Sequence, residues 1–271
     1  MTEEKDGIFS VIAADERLPD FILAAKIISE SRGVNRDDAG RIARHSWGFI
    51  GENLNEAAAD ELLARCALYG VKAVKTAAAD LALIKPPLRI RKAVFAAGIF
   101  NYTDGNSLAG TAANDDILVI SAAPVKEETT KTIKTTEGPS GQERAIRFGI
   151  MAVTGLPIGL GKTKEIKKEV KTSDLSFCAD IVLKTAILSL SSNDFDFSCL
   201  REKKTYSSQT NFRIMCAELA AFAPRALKNA GLSAILESRP LALLPYDTEG
   251  DFEKETLRLS VLARYYANRG V

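Results

Sequence analysis

Residues 33–70, GVNRDDAGRIARHSWGFIGENLNEAAADELLARCALYG, carry most of the punctuation from which a fold can be read. Asn35 and Asn55 are good helix N-caps, because a side-chain oxygen can accept from the unpaired N–H groups of the first turn. Asp37, Asp38 and Glu56 follow them and favour the positive end of the helix dipole. Ala39, Ile42 and Ala43 recur at helical spacing after the first cap, and Ala58, Ala59, Leu62, Leu63 and Cys66 after the second. Gly33 and Gly70 end helices, since glycine adopts the left-handed conformation common there. Residues 45–54, HSWGFIGENL, are read as the connection between the two helices. Upstream, Pro19 and Asp20 open an earlier helix with Ile22, Leu23, Ile27 and Ile28 expected inward. Ile8–Ala13, IFSVIA, reads as a first strand, and Val71–Thr76, VKAVKT, as a closing one. Residues 8–76 are therefore expected to form a small α/β module with three helices on a three-stranded sheet.

The landmarks between Gly33 and Gly70 resemble, without a gap, the C-terminal domain of the bacterial ribosomal stalk protein. The glycine and apolar residue are Gly33 and Val34, the acidic residue and alanine are Asp38 and Ala39, and Ile42 is the apolar residue that follows. Leu54 and Asn55 occupy the turn and cap, Ala59 and Leu62 the last helix, and Gly70 its end. Lys26 falls where that family has a lysine on its first helix. The Clp protease adaptor domain is similar in fold. The resemblance covers about a quarter of the chain and implies an interaction module that recruits a partner protein through its first two helices. Phe21 and Lys26 are the partner-binding candidates it implies. Phe21, Ala25, Ser29 and Gly40 stand where the family tends to carry basic or exposed apolar contacts, so most of the family's basic surface is missing.

Residues 80–91, DLALIKPPLRIR, contain Pro86 and Pro87, and paired prolines favour an extended spacer. The domain boundary is placed there, between 1–84 and 85–271. The second part resembles no family. It is read as a larger antiparallel-sheet α+β module, so the whole chain is of α+β class. Residues 93–102 and 117–125 are β-like or mixed, and 126–136, KEETTKTIKTT, suits a solvated strand. Gln142–Thr154 is a helix candidate. Leu175–Phe197 carries two strand-like apolar runs, and late helices are expected at Ser208–Phe222 and Asp251–Asn268.

Composition sets outer limits. The 36 basic and 35 acidic residues leave a formal charge of +1, against the basic excess of a general nucleic-acid binder. Cys66, Cys178, Cys199 and Cys216 are far apart and suit buried free thiols in a reducing compartment. No apolar run reaches the roughly 18 residues of a membrane span. A cytoplasmic protein with no membrane span is expected, with no cofactor, metal site or catalytic set assigned.

The strongest ligand motif is Gly155–Thr163, GLPIGLGKT. Gly161, Lys162 and Thr163 fit the end of a phosphate-binding loop, G-x-x-x-x-G-K-[ST], and with Gly159 they are the ligand-binding candidates. Leu156 stands where the first glycine belongs, and Pro157 removes one N–H donor. A glycine-rich turn is the competing reading. Lys162, Lys164, Lys167, Lys168 and Lys171 form a basic run offset by Glu165 and Glu169. His45 beside Ser46 and Trp47 is a candidate base, and Asp194 with Asp196 a candidate carboxylate pair if both lie on one strand face. Asn211, Arg213, Glu218 and Arg225 are read as boundary groups. The function expected is that of a protein-interaction or adaptor-type protein with an unidentified protein partner. The alternative is a ligand- or nucleotide-binding protein, or an enzyme, with its site near Gly155–Thr163.

Overall fold

The computed structural model describes residues 7–82, 86–137, 164–240, 246 and 248–267. The N-terminal segment runs β1 (Phe9–Ala13), α1 (Phe21–Arg32), α2 (Arg36–Ser46), β2 (Phe49–Leu54), α3 (Glu56–Leu68), β3 (Ala73–Ala77) and a single turn, α4 (Ala78–Ala82). The helix ends are set as their residues predict. Asp20 accepts from the N–H groups of Ile22 and Leu23, Asn35 from Asp38 and Asn55 from Ala58. Gly33 closes α1 in the left-handed region, at φ 65°.

The three strands form an antiparallel sheet in the order β2-β1-β3. The last six residues of the expected connection are thus a strand. Phe49–Leu54 pairs with β1, and its register shifts between Phe9 and Ile12 hid the alternation that would have marked it. Val11, Ala13 and Ile50 face the helices and pack with Ile27, Ile28, Ala39, Ala59, Leu62 and Cys66. Ile22, expected in that core, lies instead on the outer side of α1.

The larger sheet is built from β4 (Leu88–Ala96), β5 (Ile99–Asp104), β6 (Ala109–Ala113), β7 (Ile117–Glu137), β8 (Lys164–Leu183), β9 (Ile187–Ser191) and β10 (Leu227–Lys228). Its order is β10-β7-β8-β9-β4-β5-β6. It is mixed rather than purely antiparallel, because β10 joins β7 and β4 joins β9 in parallel. A parallel pair needs a long crossover, and here residues 97–186 separate the two paired strands β4 and β9. Helix α5 (Ser208–Phe222) covers one face, where Phe212, Met215 and Leu219 meet Phe100, Phe177 and Ile181. A short helix, α6 (Ala230–Leu236), and a 3-10 segment, Phe197–Lys203, join that layer and were not expected from the sequence.

The C-terminal helix, α7 (Glu249–Ala267), lies between the sheets. Leu259, Val261 and Leu262 share one core with Ile12, Phe49 and Val74 of the small sheet and with Val119, Val182 and Ile187 of the large one. The layers therefore run from α1–α3 through the small sheet, α7 and the large sheet to α5 and α6. The contacts gather residues 1–125 and 176–271 into one compact unit, so the boundary expected after residue 84 falls inside it. Residues 126–175, with the distal part of β7 and the proximal part of β8, form the other unit.

Candidate functional site

Helices α1 and α2 enclose an open groove of about 840 Å³. On α1 its wall is Phe21, Ile22 and Ala25, continued by Lys26, Ser29 and Glu30. On α2 it is Arg36, Asp37, Gly40, Arg41 and Arg44. Asp20 caps α1 immediately before Phe21, so the first turn holds Phe21 and Ile22 at the groove's mouth. They are 46% and 76% exposed, unlike the inward Ile27 and Ile28. Four cations face two carboxylates in this lining.

Those cations are not equally available. Arg41 pairs with Asp38. The Lys26 ammonium sits 4.6 Å from the centre of the Tyr69 ring, whose hydroxyl donates to Glu30 at 2.8 Å. Arg65 of α3 approaches the same carboxylate at 3.6 Å. This chain of contacts anchors α1 to α3. Arg36 and Arg44 are exposed and have no ion-pair partner among the described residues. Gly40 lies between them on α2. A Cβ added there would meet only the Phe21 ring, at 3.8 Å.

Phe21 and Lys26, the residues suggested by resemblance, therefore share one groove. Ile22, Arg36 and Arg44 were missed. The signal for Ile22 was its neighbour Asp20, since a residue in the first turn after an exposed cap often stays at the rim. The arginines had no signal beyond their charge.

The other candidates have structural work. Asp251 Oδ1 accepts the Trp47 indole N–H at 2.6 Å and lies 3.3 Å from His45 Nδ1. Its Oδ2 accepts from the Thr248 backbone and hydroxyl, and Thr248 Oγ1 accepts from the Asp251 N–H in return. That reciprocal pair caps the start of α7. Burial alone would raise the Asp251 carboxyl, but hydrogen bonds from Trp47, Thr248 and His45 outweigh it and hold the group below its ordinary range. Ser46 donates to the Ala43 carbonyl, so no nucleophile–base pair forms at positions 45 and 46.

Asp194 and Asp196 follow β9 and do not share a strand face. Asp194 pairs with Arg89 at 2.9 Å. Asp196 accepts from the Ser198 N–H at 3.0 Å and neighbours Lys92 at 3.7 Å. Phe195 and Phe197 are buried as expected. Glu218 pairs with Lys203, and Asn211 holds Thr205 through backbone and hydroxyl hydrogen bonds. Gly159, Gly161, Lys162 and Thr163 lie outside the described residues, as does Gln142–Thr154. No group of three potential metal ligands occurs among the described residues. No described helix is long and apolar enough to cross a membrane.

Comparison with known proteins yields no match: neither a protein-family model nor a curated protein nor a solved structure is significantly similar to this chain.

Proposed function

We propose that this chain is a protein-interaction, adaptor-type protein that presents the groove between α1 and α2 to a partner protein. One observation carries the reading. Phe21 and Ile22 stand exposed side by side, facing Arg36 and Arg44, which have no ion partner among the described residues. Single exposed apolar residues are ordinary, but here two adjoin on one wall of a groove opposite arginines, and apolar contact combined with arginine is the chemistry that protein interfaces use. The resemblance to the stalk protein's C-terminal domain supports the same reading, since it implies recruitment through the first two helices. Three helices on three strands, with turns at Gly33 and Gly70, accord with it. Fold-level likeness alone would not assign a function; the groove's own chemistry supplies the reason here.

A photo-crosslinking residue in place of Ile22 tests the proposal in the native cell. Leu68, equally exposed on α3 but outside the groove, is the control position. The expected result is a discrete protein adduct from position 22 and none from position 68. Equal, diffuse labelling from both positions would overturn it.

A further inference from the structure

We infer that the groove's occupant is an amphipathic helix of a partner protein, apolar along one edge and acidic along the other. This rests on the reading of the groove as a docking surface. The form of the occupant follows from the walls. Both are helices, whose backbone N–H and C=O groups are consumed internally away from their ends. An extended segment would bury its own backbone groups against side chains alone, leaving them unpaired at a cost. A helix arrives with those groups satisfied and packs ridges into grooves.

The charge of the occupant follows from α2. Arg36 and Arg44 are eight residues apart, which is about 12 Å along a helix; neither makes an ion pair among the described residues, and with Lys26 and Arg41 they outnumber the lining's carboxylates, Glu30 and Asp37. Carboxylates two turns apart on the incoming helix match that spacing. Phe21 and Ile22 offer the apolar contact on the other wall. Gly40 sets how close the helix can come. Glycine inside a helix costs roughly 0.5–1 kcal/mol relative to alanine, yet a Cβ at Gly40 would meet no backbone and one ring atom at ordinary contact distance. Nothing within the described fold requires glycine at this position, whereas close helix approach uses the missing side chain.

The test is a selection of random peptides of about 16 residues, four helical turns, on the full chain, with the Gly40→Leu chain as counter-selection. Leucine is a strong helix former, and its Cβ meets only the Phe21 ring at ordinary contact distance, so this variant fills the groove, with its melting temperature measured alongside to show that the chain stays folded. The inference expects enriched peptides with apolar residues at helical spacing and acidic residues two turns apart. Their binding weakens about tenfold in the Arg36→Glu/Arg44→Glu chain and falls with added salt. Peptides that discriminate against Gly40→Leu but are neutral or basic, or ignore the charge reversal, would overturn the acidic helix and leave the docking groove standing. No peptide that distinguishes the two chains would overturn both.

Discussion

Two buried residues show how little space this interior leaves. Gly231 opens α6 directly beneath β7, and a Cβ there would fall 2.0 Å from the Ala122 carbonyl oxygen. Backbone cannot swing aside as a flexible side chain can, so Gly231→Ala is expected to destabilise the chain by about 2–4 kcal/mol in urea unfolding. Next to it, Asn229 is fully buried and spends its whole amide. It accepts from Ala122 and Leu232 and donates to the Ala122 carbonyl and the Tyr246 hydroxyl. Asp180 on β8 is the opposite case, a buried carboxyl with no ion-pair partner among the described residues. Burial pushes it up to about 6, Glu253 and Glu249 add to the rise, and the Ser189 hydroxyl opposes it. Between about pH 4 and 6 the folded chain holds a proton that the unfolded chain has already released. Stability from this group is therefore fully present below about pH 4 and lost as the pH climbs to 6, by about 3 kcal/mol at most. Asp180→Asn should flatten that slope and raise the neutral-pH unfolding midpoint. A native slope that persists in the variant would refute the assignment.

Among the elements, α7 departs furthest from an ordinary surface helix. Its apolar residues suggest one buried stripe, yet Asp251, Glu255, Thr256, Arg258 and Ser260 are buried as well. Arg258, with no exposed surface, donates to the carbonyls of Ala13 at the end of β1 and of Asp15 and Glu16 in the turn that follows. Burial pulls its guanidinium down and pushes the neighbouring Glu255 carboxyl up, and each offsets the other. Glu255 also accepts from the Tyr246 hydroxyl and the Ala230 N–H. Arg258→Met would take this donor from three carbonyls and leave the buried Glu255 carboxylate without its cation, so a loss of about 3–5 kcal/mol is expected by chemical denaturation. Helix α2 answers to local rules instead. Asn35→Ala removes the acceptor for the Asp38 N–H and should cost about 1 kcal/mol, read as a lowered melting temperature.

For the whole molecule, the main consequence is that the small sheet is covered on both sides. Its outer face presents Ile12, Phe49 and Val74, at most 9% exposed, and α7 covers them. Residues 1–84 expressed alone should therefore bind a hydrophobic dye and aggregate, whereas the full chain should not. A monomeric, dye-silent fragment would show that the three helices suffice. The run IFSVIA held a trace of this arrangement, since its last three residues, Val11, Ile12 and Ala13, are apolar in succession, and consecutive apolar residues on a strand mark burial on both faces. Its partner, however, lies near the far end of the chain: the hydrogen bond from Arg258 to the Ala13 carbonyl spans 245 residues.

Residue order alone was enough to place the caps at Asp20, Asn35 and Asn55, the stop at Gly33, the helix Ser208–Phe222 and the α+β class. Each of these except the class depends on partners within one or two turns, so neighbours in the chain carry the information. The strand Phe49–Leu54, the parallel joins of the large sheet, the wedge of α7 and the exposure of Ile22 beside Arg36 and Arg44 depend on segments that meet only after folding. Which surface covers which is settled by long-range packing, and apolar contact is non-directional; a string of side chains states the need for burial without naming the element that meets it.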